Sequence, residues 1–254
     1  YAIMADPRTG NIMAMAQRPT FNPNDRSNMN SEAWRVRAIE DSFEPGSVMK
    51  PLVVAGALDM GLIAPNTMIN CENGTWVYGG RSMRDTHPAH LIPVSDVIKH
   101  SSNIGTAKIA IRMGADKLIP YLKKLHIPYP KDLHDELILS QFAIGYSYVK
   151  ISPEQLLEAW CKLAADDQDD FKSKATVPAI NRMLAARTGA ANGLPVQTGT
   201  YSAPDSSDYI GSCIGSSSVE QPKYVLLVSI QGAPGMTLYG KRVIPVWKNI
   251  MDKL

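Results

Sequence analysis

Strand-like sequence is concentrated near the two ends of the chain, and that distribution limits the folds open to it. Residues 1–17, YAIMADPRTGNIMAMAQ, place two apolar runs around Asp6-Pro7-Arg8-Thr9-Gly10, a turn-rich break that predicts a β-hairpin. The remaining strands are predicted at about 194–202, 208–215 and 223–231, with YVLLVSI the clearest of them. The long middle reads mainly as helix, with a loop and a small hairpin over 66–93 around Gly74-Thr75-Trp76-Val77-Tyr78-Gly79-Gly80. The expected fold class is α/β in the α+β sense: an antiparallel sheet drawn from both chain ends and flanked by helices, with an inserted all-helical lobe. The 254 residues are expected to form a single domain, with a sheet lobe of about 1–46 and 190–254 and a helical lobe of about 60–165.

Within the middle, SVMKPLVVAGALDMGLI follows Pro45-Gly46 and is apolar on every side, which predicts a buried helix. Pro51 falls near its start, where a missing N–H costs least. A short helix is predicted over 31–41, helices over 94–113 broken near Ser101-Ser102-Asn103, and another over 115–125. Residues 126–140, with Pro128, Pro130 and mixed charges, read as a connection. Ser152-Pro153-Glu154-Gln155 opens a helix, with Ser as cap and Pro at the first position. The charged stretch 165–174 reads as a solvated loop, 177–187 as helix, and VIPVWKNIMDKL as a closing helix.

Composition narrows the function classes. Hydrophobic residues at 44% and charged residues at 20% fit a globular chain, and a net charge of +2 without a basic run excludes nucleic acid as the expected partner. Cys71, Cys161 and Cys213 form no disulfide framework, and none has zinc-site spacing, so three small buried residues and no metal are expected. No apolar run approaches the ~18–20 residues of a membrane span. The chain starts at Tyr1 inside a strand-like segment, and is read as a trimmed domain whose parent has an N-terminal anchor and pedestal.

Three short motifs carry chemistry. Ser47-Val48-Met49-Lys50 puts a hydroxyl and an amine one helical turn apart, on one face. A serine hydroxyl needs a nearby base to act as nucleophile, and a buried lysine of lowered pKa can be that base. Alone, this motif reads more readily as a helix start with a solvated lysine. Ser101-Ser102-Asn103 is an ordinary cap or turn, or else a second hydroxyl and an amide aimed at one cleft. In the second case Ser101 relays a proton, and Asn103 holds Lys50 and a substrate amide. Gln197-Thr198-Gly199-Thr200 is a strand edge that allows close backbone approach, or one that pairs with an extended substrate. The N–H groups of Ser47 and Thr200 would then form an oxyanion hole.

In order and surroundings, the three motifs resemble those of class B penicillin-binding proteins, which share a Ser-x-x-Lys, Ser-x-Asn and Lys-Thr-Gly set with serine β-lactamases. MADPRTGNIMAMAQRPTFNPND is similar to that family's first hairpin, RAIEDSFEPGSVMK to its approach to the nucleophile, and GGRSMRDTHP through SSNIGTAKIA to its second motif. FAIGYSYVKISPEQLLEAW and VIPVWKNIM continue the likeness almost to the chain end. The resemblance implies a cleft between sheet and helical lobes and an acyl-enzyme on Ser47. It implies Ser47, Lys50, Ser101 and Asn103 as catalytic residues, and Gln197, Thr198, Gly199 and Thr200 as substrate-binding residues. The implied partners are peptidoglycan stem peptides ending in D-Ala-D-Ala, β-lactam antibiotics and, through the parent, cell-wall synthesis or divisome proteins. No cofactor is implied. The implied location is extracytoplasmic, at the periplasmic face of the inner membrane.

One position departs from the pattern. Gln197 stands where the family has Lys, so a charge-assisted bond becomes a neutral one. The expected penalty is about 1–3 kcal/mol, or about 10- to 100-fold. Lys241 or Arg242 is the expected substitute charge. The segment between the helix at 154–164 and the third motif is also expected to be shorter than usual. Two alternatives follow from the departure: a degenerate, partner-binding scaffold, or a β-lactamase.

Overall fold

A computed structural model describes residues 1–25, 31–165, 175–187, 191–202, 209–232 and 240–254. Its main sheet has five strands in the order β2-β1-β9-β8-β7, all antiparallel: β1 (Ala2–Ala5), β2 (Ile12–Ala16), β7 (Val196–Ser202), β8 (Tyr209–Ser216) and β9 (Val225–Gln231). Both chain ends meet where β1 pairs with β9, Ala2 opposite Val228. Two small ribbons, β3 (Met68–Asn70) with β6 (Leu91–Pro93) and β4 (Thr75–Tyr78) with β5 (Arg81–Arg84), lie in the middle of the chain.

The helices are α1 (Ser31–Trp34), α2 (Arg37–Glu40), α3 (Lys50–Asp59), α4 (Val94–Lys99), α5 (Asn103–Met113), α6 (Ala115–Lys124), α7 (Glu136–Ala143), α8 (Pro153–Ala164), α9 (Thr176–Ala185) and α10 (Gly240–Met251). Side chains alternate across a strand, and β9 shows the consequence. Leu226 and Val228 pack with Val243 and Trp247 of α10, whereas Val225 and Leu227 join the main core with Leu157 and Trp160 of α8. A strand covered on both faces needs apolar residues at every position, which is why YVLLVSI reads as a continuous run. Trp247 donates its ring N–H to the Leu226 carbonyl at 2.7 Å, fixing α10 on the sheet.

The apolar run after Pro45-Gly46 forms the central helix. Residues 50–57 of α3 are all buried, against α5, α6, α8 and α9. Its start differs from expectation: Gly46–Met49 is a 3₁₀ turn, and the α-helix begins only at Lys50. The expected helix over 31–41 is two short helices instead. Gln17 reaches across to accept from the Arg37 N–H (3.1 Å) and donate to the Arg35 carbonyl (2.6 Å), taking groups a continuous helix would use. The connection expected over 126–140 ends early, because Asp135 accepts from the Leu137 and Ile138 N–H groups and starts α7. At α8 the Ser152–Gln155 pair forms a reciprocal capping box, as the sequence suggests. The charged stretch 166–174 lies outside the described residues. All three cysteines are buried and free. Among the described residues no helix is long and apolar enough to cross a membrane.

Candidate active site

The turn that carries Ser47 is held by main-chain contacts on two sides and by one side chain beneath. Gly46 adopts φ +61°, a left-handed conformation that suits glycine, and its N–H bonds the Gly145 carbonyl at 2.9 Å. Gly145 is itself at φ +80°, and a Cβ there would lie 2.1 Å from the Gly46 oxygen. On the other side, a Cβ on Gly199 of β7 would come within 2.7 Å of the Pro45 carbonyl and 3.7 Å of the Ser47 nitrogen. The third motif's glycine is thus required by close backbone approach. Trp160 of α8 donates to the Val48 carbonyl at 3.1 Å and anchors the turn from below. Ser47 itself sits half-buried on this turn.

Lys50, one turn on, is only 2% exposed. Its Nζ donates to the Ser101 carbonyl (2.5 Å) and to Ser101 Oγ (3.0 Å). Burial drives its pKa down from 10.5 to about 7, with the Arg187 cation adding to the drop and the Asp85 anion opposing it. A lysine of pKa near 7 is substantially neutral at neutral pH and can accept a proton.

Ser101 occupies the break between α4 and α5 at φ +54°, strained for a residue with a side chain. Asp85, which the sequence analysis did not single out, fixes the α5 side of that break. One carboxylate oxygen accepts from the Asn103 and Ile104 N–H groups (2.6 and 3.0 Å), and the other from Ser102 Oγ (2.5 Å). A buried anion at a helix N-terminus, saturated by donors, stabilises both helix and turn. Its residue type and place just before the second motif were visible, but its acceptance by three donors was not. The Asn103 side chain donates to the Arg84 carbonyl at 2.7 Å, and no bond from it to Lys50 occurs among the described residues. The Lys50 contact expected of Asn103 is made by Ser101.

The facing wall is β7. Gln197 is 1% exposed and fully bonded: its Nε2 donates to Ser101 Oγ (3.1 Å) and to the Thr198 carbonyl (2.9 Å). Its Oε1 accepts from Arg187 at 2.7 Å. Arg187, just past α9, also donates to the Ile98 carbonyl at 3.3 Å. The cation beside Gln197 among the described residues is therefore Arg187. Arg242 is exposed on α10, and the Lys241 side chain lies outside the described residues. Thr200 follows along the strand, and its carbonyl accepts from the Tyr146 hydroxyl at 3.1 Å. Lys50, Ser101 and Gln197 thus form one hydrogen-bonded set, with Ser47 one turn before Lys50 and the Gly199 backbone against the Ser47 turn.

The turn that carries Ser47 is thus packed against the edge strand of a five-stranded antiparallel sheet, with a buried lysine behind it. The family described as the penicillin binding protein transpeptidase domain matches residues 1–169, and the chain belongs to that family. It is 28% identical over 98% of its length to the probable peptidoglycan D,D-transpeptidase PenA of Neisseria meningitidis, and 25% identical over 98% to the peptidoglycan D,D-transpeptidase FtsI of Escherichia coli. The chain spans about half the length of these curated relatives, covering 50% of each. The PenA match runs over 294 residues against the 254 here, so that relative carries residues this chain lacks. In fold the chain is similar to the transpeptidase domain of Burkholderia pseudomallei penicillin-binding protein 3 (TM-score 0.81, 23% identity, covering 99% of this chain and 86% of that one). It is likewise similar to a Burkholderia ambifaria protein described as a peptidoglycan glycosyltransferase (TM-score 0.84, 24% identity, covering 99% and 87%).

Proposed function

We propose that this chain is the acylating domain of a peptidoglycan D,D-transpeptidase, with Ser47 as nucleophile. Its cleft lies between a sheet lobe of about 1–46 and 190–254 and a helical lobe of about 60–165. Neutral Lys50 takes the Ser47 proton as Oγ attacks the penultimate D-Ala carbonyl of a stem peptide. The N–H groups of Ser47 and Thr200 stabilise the oxyanion. The proton then passes from Lys50 through Ser101 to the leaving nitrogen, the C–N bond breaks, and the terminal D-Ala departs. An amine of a second stem peptide attacks the ester and gives its proton to Lys50, the bond from Ser47 Oγ to the acyl carbon breaks, and Lys50 returns the proton to Ser47 as the cross-link forms. A β-lactam meets the same nucleophile, and its ring opens onto Ser47.

The observation that supports this reading best is the buried Lys50, bonded to Ser101 and held near pKa 7. Such a group is costly to keep in a mere scaffold, because burying an amine opposes folding unless it has partners. We place the chemistry outside the cytoplasmic membrane, with the parent protein anchored there and engaging cell-wall or division proteins. Intact-mass spectrometry after β-lactam treatment tests the proposal. One adduct per chain, lost in Ser47→Ala, is expected; no adduct on Ser47 at millimolar drug overturns it.

A further inference from the structure

Position 197 lacks the lysine that the third motif resembles, yet its surroundings are not those of a neutral residue. Arginine carries only donors. The Gln197 amide must therefore turn its oxygen toward Arg187 and its nitrogen toward Ser101, and the 2.7 and 3.1 Å contacts have that polarity. The second Nε2 hydrogen is taken by the Thr198 carbonyl at 2.9 Å, leaving the amide no room to flip without losing bonds. A cation on Oε1 also polarises the amide, making Nε2–H a stronger donor to Ser101.

The effect on Ser101 follows from its hydrogen-bond capacity. A serine hydroxyl has one hydrogen and two acceptor sites. When Lys50 is protonated, its Nζ fills one acceptor site of Ser101 Oγ at 3.0 Å and Gln197 fills the other at 3.1 Å. The Ser101 hydrogen is then left to point into the cleft. That is the arrangement a relay needs at the moment a leaving nitrogen requires a proton.

We propose that Arg187 is a positioning residue for this site: acting through Gln197, it sets the amide's orientation and brings the positive charge that a lysine at 197 would otherwise carry. The inference rests on the acyl-enzyme reading above and deepens it. The motif's single cation is here divided between two residues ten positions apart, one holding the hydrogen bond and the other the charge. Arg187 also lowers the affinity of Lys50 for its proton, which agrees with a cation acting on the relay.

A charge-relocation experiment tests it on the whole chain, using acylation by a fluorescent penicillin and the ¹³Cε shift of Lys50 against pH, assigned by its loss in Lys50→Met. Arg187→Met is expected to slow acylation about 10- to 100-fold and to move the Lys50 titration to higher pH. Adding Gln197→Lys to Arg187→Met is expected to recover most of the rate and return the titration toward the parent's. Gln197→Lys alone, with two cations side by side, is expected to move the titration still lower. Parent-like titration in Arg187→Met overturns the proposal. So does a folded double variant that titrates and acylates like Arg187→Met, since Arg187 would then serve only to hold α9. If Arg187→Met fails to fold, Arg187→Lys replaces it, and a Lys50 titration well above the parent's in that variant counts against the idea. Should the parent itself not acylate, the function proposed above fails, while the Lys50 titration still decides the role of Arg187.

Discussion

The two walls of the cleft are built by different means. The nucleophile wall draws its parts from short spans of chain: Ser47 and Lys50 on consecutive turns, and Ser101 at a helix break capped by Asp85. The β7 wall presents backbone along one strand, but takes its charge from Arg187 beyond the end of a separate helix. The first wall depends on the three-residue spacing of Ser47 and Lys50 and on two motifs meeting where Lys50 bonds Ser101. The second depends on a helix end meeting a strand, and its chemistry is divided between two residues ten positions apart.

The sharpest way to break this comparison is Lys50→Met. If the nucleophile wall carries proton transfer, acylation falls by about 10²- to 10⁴-fold in stopped-flow fluorescence with the fold unchanged; near-parent acylation would remove Lys50 from the mechanism. Gly145→Ala comes next. The added Cβ would sit 2.1 Å from the Gly46 oxygen at a φ of +80°, so a stability loss of about 1–3 kcal/mol by denaturant titration is expected, with slower acylation. An alanine there that costs nothing would show that the nucleophile turn is not fixed by backbone contact.

Asp85→Asn separates electrostatics from structure. Removing the anion that favours charged Lys50 should shift the acidic limb of acylation to lower pH, the opposite direction to Arg187→Met. Stability should fall by about 1–3 kcal/mol as buried donors lose their acceptor. An unmoved limb would mean that the Asp85 charge does not act on Lys50. In the parent, acylation should rise through about pH 7 as Lys50 loses its proton. The linked stability effect has the same sign. With the folded pKa near 7 and the unfolded one near 10.5, the unfolded chain binds more protons across that window, so this group's contribution to stability rises with pH through it. The smallest effect belongs to Thr200→Ser, because the proposed role of Thr200 lies in its backbone N–H. A large loss of acylation in that variant would assign the side chain a part.

Much of this was legible in sequence, for physical reasons. The terminal hairpin, the uniformly apolar YVLLVSI and the Ser152–Gln155 capping box follow from periodicity and local hydrogen bonding. The Ser47–Lys50 and Ser101 pairing was legible as motif order. What stayed hidden is what depends on tertiary contacts that no motif or periodicity marks. Nothing around Arg187 marks it: it follows a helix as an ordinary basic residue, and its importance appears only when Gln197, ten residues later, folds back onto it. Gln17 is similar, since its splitting of the 31–41 segment requires the hairpin and the helix to be side by side. The early start of α7 was hidden by its setting, where Pro128 and Pro130 outweighed the cap at Asp135.

The glycines at 46, 145 and 199 bring main chain against main chain under the nucleophile. At such a junction there is no side chain to lengthen, shorten or recharge, so the spacing between Ser47 and the β7 edge is closed to adjustment by substitution. Any change in the chemical preference of the cleft has to enter from its flanks, through side chains that reach toward the relay. Gln197 and Arg187 occupy such positions, and the rigid floor beside them lets a lysine be exchanged for a pair of residues without disturbing the geometry of attack.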